Sequence, residues 1–217
     1  MVVLACVVLG LIAGSLAKVV IQRLTGGASA PGPLLEVGTG FAFGAVAVRI
    51  GLDWALPAFL LFAWTLLVLG VIDAHTRRIP NRLTYPLTPV LLALLVAAAL
   101  LHGQPHWAYR ALLGGVAAFA ALLTLCMVNP RGMGMGDVKL AAFIGVGLGY
   151  LGWGVLAVGV VTGFLLGGLV ATALLAARAR GRGDLMPFGP YLAAGAFFAL
   201  LVGGPLVNAY LQATGLG

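Results

Sequence analysis

The chain has 217 residues, of which 62% are hydrophobic and 8% charged, too little polar surface to cover a water-soluble fold, so the sequence reads as an integral membrane protein. At about 20 apolar residues per crossing, the length supplies about eight spans and leaves no room for a separate soluble domain. The formal charge of +7 does not point to nucleic acid, because the basic residues stand singly or in twos and threes between apolar runs rather than along one face.

In chain order, hydropathy, charges and Gly/Pro breaks predict an all-α protein with spans near Val2–Ile21, Leu35–Ile50, Trp54–Ile72, Leu83–Leu101, Trp107–Val128, Val138–Leu151, Trp153–Ala177 and Met186–Leu211. The first span carries no charge before Lys18 and Arg23, the reverse of a cleavable signal peptide, and reads as a retained helix. Residues 1–217 read as one transmembrane domain, with 24–33 a short loop. If the N-terminus lies outside, Lys18, Arg23, Arg77, Arg78, Arg82, Arg131, Lys139, Arg178, Arg180 and Arg182 all fall at cytoplasmic ends. Only Arg49 and Arg110 are left outside. Trp54, Trp107 and Trp153 then each open a span at the outer interface, where indole rings are favoured. Small residues at four-residue spacing, as in Gly10/Gly14, Gly40/Gly44 and Gly159/Gly163/Gly167, predict closely approaching helices. Cys6 and Cys126 lie singly inside apolar runs, so neither a disulfide nor a metal site is expected, and no cofactor either.

The chain has 5 acidic residues, and near hydrocarbon each needs a reason to be there. Asp53 sits in a predicted outer loop and Asp184 in a polar stretch beside three arginines, so both read as ordinary loop charges. Asp73 ends the third span and Asp137 precedes the sixth, which brings both to the membrane at the same, cytoplasmic, surface. Paired carboxylates hydrolyse peptides when one ionised group takes a proton from water and one protonated group polarises the scissile carbonyl. Gly132, Gly134 and Gly136 form a loop without side chains ahead of Asp137, which lets an extended substrate approach. For either aspartate alone, a helix-end charge satisfied by a neighbouring arginine or lysine stays open. A transporter or channel is a second reading, although no predicted span carries an acidic residue near its midpoint. A non-catalytic scaffold for pilus or secretion assembly is a third, and it leaves the aspartates unexplained.

The segment GMGDVKL at residues 134–140, with Gly134, Gly136, Asp137 and Lys139, resembles the GxGDxKL motif of the type IV prepilin peptidases, a branch of the GxGD membrane aspartic proteases. Asp73, followed by Ile79, Pro80, Asn81, Leu83 and Thr84, is similar to that family's first aspartate motif. GLIAGSLAKVVIQRL, PLLEVGTGFAFG and MPFGPYLAAGAFFAL add further matches in family order. The resemblance implies an inner-membrane endopeptidase that cuts the leader from prepilins or pseudopilins at the cytoplasmic face, with Asp73 and Asp137 as its catalytic pair. Lys139 then holds the loop, lowers an aspartate pKa, or merely snorkels to the interface. His75 either tunes Asp73 or faces solvent, and solvent is favoured. Many bacterial members also methylate the new N-terminus and carry a cysteine-rich domain between their first two spans. Here that interval is LTGGASAPGP, without cysteine. Glu36 resembles an acidic residue near that domain, as a possible methyl-transfer remnant, and methyl transfer itself is expected to be absent.

Overall fold

The structure, a computed structural model, describes residues 1–26, 32–128, 133–177 and 187–215. It consists of eight helices over these residues: α1 (Val2–Thr25), α2 (Gly32–Ile50), α3 (Leu56–Thr76), α4 (Asn81–Leu101), α5 (Pro105–Val128), α6 (Met135–Leu151), α7 (Trp153–Ala176) and α8 (Gly189–Thr214). Seven are long and apolar enough to cross a membrane. The eighth, α6, has only 17 residues. The protein is therefore the multi-pass, all-helical membrane protein that its hydropathy predicts.

Its packing follows the small residues. A β-carbon added at Gly10 would lie 2.7 Å from the Thr39 carbonyl, and one at Gly14 would lie 2.5 Å from the Glu36 Cα, so α1 rests its backbone against α2. At Gly163 the nearest atom would be the Leu192 Cα at 3.0 Å, which closes α7 on α8 in the same way. Gly114 and Gly149 do this for α5 and α6, a contact the sequence reading had not marked. Three antiparallel pairs result, α1 with α2, α5 with α6 and α7 with α8. The expected roles of Gly10/Gly14 and Gly159/Gly163/Gly167 in helix packing hold.

α3 and α6 are the most buried helices, α6 being also half of the α5–α6 pair. Of the 21 residues of α3, 13 are buried, and of the 17 of α6, 12 are buried, so other helices cover most of the surface of both, as befits helices apolar all round. Phe62 of α3 stacks on Phe143 of α6 at 5.4 Å between ring centroids and fills the space that glycine leaves at position 147. Trp64 ties α3 to α1 by donating to the Ala13 carbonyl at 3.0 Å. The two helices that carry the singled-out aspartates are thus the best packed in the molecule.

Some boundaries differ from the sequence reading. Gly136 and Asp137 were expected in a loop ahead of the sixth span, but α6 starts at Met135, which puts both in its first turn. The reason is local: the Asp137 carboxylate accepts the Gly134 N–H and caps the helix, which starts three residues earlier than hydropathy alone suggests. Asp73 lies one turn inside α3, which runs on to Thr76. Gly132, Arg131, Arg178, Arg180, Arg182, Asp184, Met186 and residues 27–31 of the loop at 24–33 lie outside the described residues.

Candidate active site

Chain reversal after α3 begins the site. Arg77 takes a left-handed conformation, φ 53° and ψ 32°, and its N–H caps the helix on the Asp73 carbonyl at 2.7 Å. A non-glycine residue in this region is uncommon, and it turns the chain sharply beside Asp73. Pro80 then takes an extended conformation as the N-cap of α4, where its carbonyl accepts the N–H groups of Leu83 and Thr84. Asn81 opens α4.

The start of α6 packs onto this turn. A β-carbon at Gly136 would lie 3.1 Å from Ile79 Cβ, so glycine is what lets the first turn of α6 settle against the segment following Asp73. Lys139, one turn further, donates from Nζ to Asn81 Oδ1 at 2.9 Å and lies 5.0 Å from the centre of the Tyr85 ring. Lys139 therefore ties α6 to α4; it makes no ion pair with either aspartate.

Both carboxylates are buried, Asp73 at 4% and Asp137 at 8% exposure, and they are the buried acids among the described residues. Both line one cavity of about 320 Å³ together with Arg77, Arg78, Asn81, Gly134 and Lys139. Each is held by a backbone amide. Gly189 N–H, at the start of α8, donates to Asp73 Oδ2 at 3.0 Å, and Gly134 N–H donates to Asp137 Oδ2 at 3.3 Å. Neither Oδ1 has a hydrogen-bond partner among the described residues, so one oxygen of each group is left for the cavity. Among the described residues, an ion pair joins Lys18 to Glu36, the His102 ring lies 3.1 Å from the Asp53 carboxylate, and neither contact reaches Asp73 or Asp137. The reading of Asp73 and Asp137 as cation-satisfied helix ends therefore finds no support among the described residues.

The other singled-out residues lie apart. His75 is exposed and its Nδ1 sits 2.8 Å from the Val71 carbonyl, the solvent-facing alternative. Glu36 accepts from Ser15 at 2.9 Å and from Lys18 at 2.8 Å, on the α1–α2 pair and outside the aspartate cavity. Asp53 accepts the Ala55 N–H and faces His102 at the opposite end of the bundle, as a loop charge should. Sequence reasoning missed Gly189. Its visible signals were the Gly-Pro pair that opens the last helix and its place in the matching segment MPFGPYLAAGAFFAL, neither of which tied it to Asp73.

Fold and site together define a polytopic membrane protein with two buried aspartates, carried by different helices, meeting in one polar cavity at one end of the bundle. Residues 60–207 match the type IV leader peptidase family, and the chain belongs to that family. It is 33% identical over 185 residues to a prepilin leader peptidase/N-methyltransferase of Stutzerimonas stutzeri, covering 83% of this chain and 61% of that protein. A protein of the same name from Pseudomonas aeruginosa is 33% identical over 188 residues, covering 84% and 62%. One from Bacillus subtilis is 32% identical over 180 residues, covering 83% and 69%. The chain thus spans about three-fifths of the length of the first two. No solved structure matches it.

Proposed function

We propose that this chain is an aspartic endopeptidase of the bacterial inner membrane that removes the leader from prepilins or pseudopilins at the cytoplasmic face, with Asp73 and Asp137 as its catalytic pair. The observation that carries the reading is the shared cavity, in which each of two buried carboxylates has one oxygen held by a backbone amide and the other without a hydrogen-bond partner among the described residues. Family membership supports it, as do the relatives' names. Charge supports the membrane side: among the described residues the aspartate end carries Lys18, Arg23, Arg77, Arg78, Arg82 and Lys139, and the other end Arg49 and Arg110.

Two carboxyls in one small cavity do not both ionise cheaply, so the pair works with one proton between them. The ionised member takes a proton from an attacking water, and the protonated member donates to the scissile carbonyl as the tetrahedral centre forms. The amides of Gly189 and Gly134 fix one oxygen of each carboxyl, which orients the other toward water and substrate. Lys139 and Asn81 hold the two helix starts in register. The reaction as drawn uses no metal or cofactor.

Residues 1–217 form one peptidase domain in this proposal, with 24–33 where bifunctional relatives carry a cysteine-rich domain. Methyl transfer is not part of it, because that interval holds no thiolates and Glu36 is occupied by Ser15 and Lys18. The test is co-expression with a prepilin. Wild type should shorten it, Asp73→Asn and Asp137→Asn should not, and an unshortened substrate with well-folded wild type would refute the function.

A further inference from the structure

The cavity above is polar and small, and a second cleft of about 400 Å³ runs away from it. This cleft lies between α2, α3 and α8 and is lined almost wholly by apolar atoms. On α3 its lining falls at Ala63, Leu66, Leu67, Gly70, Val71 and Ala74, one helical stripe that covers 12 residues and hence about 16 Å along the helix axis. Its near end touches the candidate site. Ala74 follows Asp73, and Pro190, also in the lining, follows the Gly189 whose amide holds Asp73. The cleft therefore leads from the carboxylates about halfway into the bilayer.

Two glycines mark it as kept open. Most helical glycines here are forced, because a β-carbon would strike a neighbouring helix, as at Gly10, Gly14 and Gly163. Gly38, on the α2 wall, has nothing within 4 Å of such a carbon, and Gly70, on the α3 wall, has only ordinary contacts at 3.7 Å. Glycine inside a helix is less stable than alanine, and neither position needs it for the packing within this chain. Their common property is that they leave room in the cleft.

We propose that this cleft receives an apolar transmembrane segment of the substrate, the part continuing from the scissile bond into the membrane, packed as an additional helix against α2, α3 and α8. The proposal rests on the endopeptidase reading. The occupant follows from continuity: a peptide bond placed at Asp73 and a chain that enters the bilayer from there meet this groove first. Glycine and alanine interleave with larger apolar side chains in the walls, at Gly38, Ala42, Ala63, Gly70, Ala193 and Ala194, and let a helix backbone come close there, where close approach replaces the absent hydrophobic driving force within lipid. Small walls and lateral openness let the segment enter sideways from the membrane. The scissile bond is then positioned by packing along three helical turns rather than by contacts in the polar cavity alone.

The experiment fills the groove without touching the aspartates. Gly38→Trp adds a large side chain at a position that lines the cleft and has nothing within 4 Å of its β-carbon, and its folded yield is measured by size exclusion in detergent. Two substrates are compared, a membrane-anchored prepilin and a peptide ending a few residues past the cut. The variant should lose about tenfold or more in kcat/KM on the anchored substrate while staying within about twofold of wild type on the peptide. Equal effects on both substrates, or none on either, would overturn the groove and leave it to lipid chains. Failure of wild type to cut either substrate would instead refute the peptidase reading. As a second arm, Ala194→Cys on the exposed side of α8 is paired with single cysteines along the substrate helix. Cross-links recurring every three or four residues support docking, and cross-links at no position or at all positions alike count against it.

Discussion

The Gly189 N–H donates to Asp73 Oδ2 at 3.0 Å, and a β-carbon on Gly189 would lie 2.7 Å from that same oxygen. The hydrogen bond and the lack of a side chain are therefore one feature. Gly189→Ala should leave α8 intact, since alanine favours helix, yet displace the carboxyl. The expected result is a folded protein with kcat reduced about a hundredfold, a 1 Å misplacement being enough for such a loss. Turnover per folded enzyme measures it, and unchanged turnover would show that Asp73 is not the group doing chemistry.

Removing either carboxylate should abolish cleavage. Because the two share a cavity and act as a unit, the Asp73→Asn/Asp137→Asn double variant should be little worse than either single. Steady-state rates of all three, normalised to folded protein, settle the point. Substantial activity in either single variant would remove it from the pair.

The Lys139–Asn81 bond predicts a positioning role. Lys139→Met and Asn81→Ala should each lower kcat with KM little changed, and the double variant should match the singles, since each removes the same tie between α4 and α6. The stability cost should be about 1 kcal/mol or less, because the bond is exposed. A full restoration by Lys139→Arg would show that a charge at that site suffices.

At Gly136 the contact that matters is Ile79, 3.1 Å from where a β-carbon would sit. Gly136→Val should therefore push α6 away from the turn after Asp73 and impair cleavage strongly with both carboxyls still present. Pairing it with Ile79→Ala should restore part of the activity. A simple loop-flexibility account predicts no such rescue.

Methylation of the cleaved product should not occur. Incubating enzyme, cleaved pilin and S-adenosylmethionine and weighing the product tests this, and a gain of one methyl group would show that Glu36 and its neighbours suffice.

Much of this was visible in the residues. Eight apolar runs announced the helices because each has only one way to hide its backbone from lipid, and the spacing of Gly10 and Gly14 announced a tight pair because glycine admits a second backbone. Asp73 and Asp137 stood out as charges at span ends with a motif around them. The start of α6 did not, since Gly134-Met135-Gly136 has the composition of a loop and becomes helix only through the Asp137 cap. Gly189 was hidden for a different reason. Its partner lies 116 residues away, and no local pattern encodes a bond between two helix ends that meet only after folding. The same holds for Asn81 and Lys139, 58 residues apart.

The shortness of α6 has a consequence for the membrane itself. Its 17 residues reach about 25 Å, against about 30 Å of hydrocarbon, while the 21 of α3 reach about 31 Å. With the far ends of both helices level, α6 stops roughly one helical turn short of α3 at the aspartate end, and on the endopeptidase reading the resulting dent lets water reach the carboxyls. Catalysis is then matched to acyl-chain length. Reconstitution into lipids of increasing chain length should leave turnover steady up to native thickness and lower it beyond, as longer tails close over the dent.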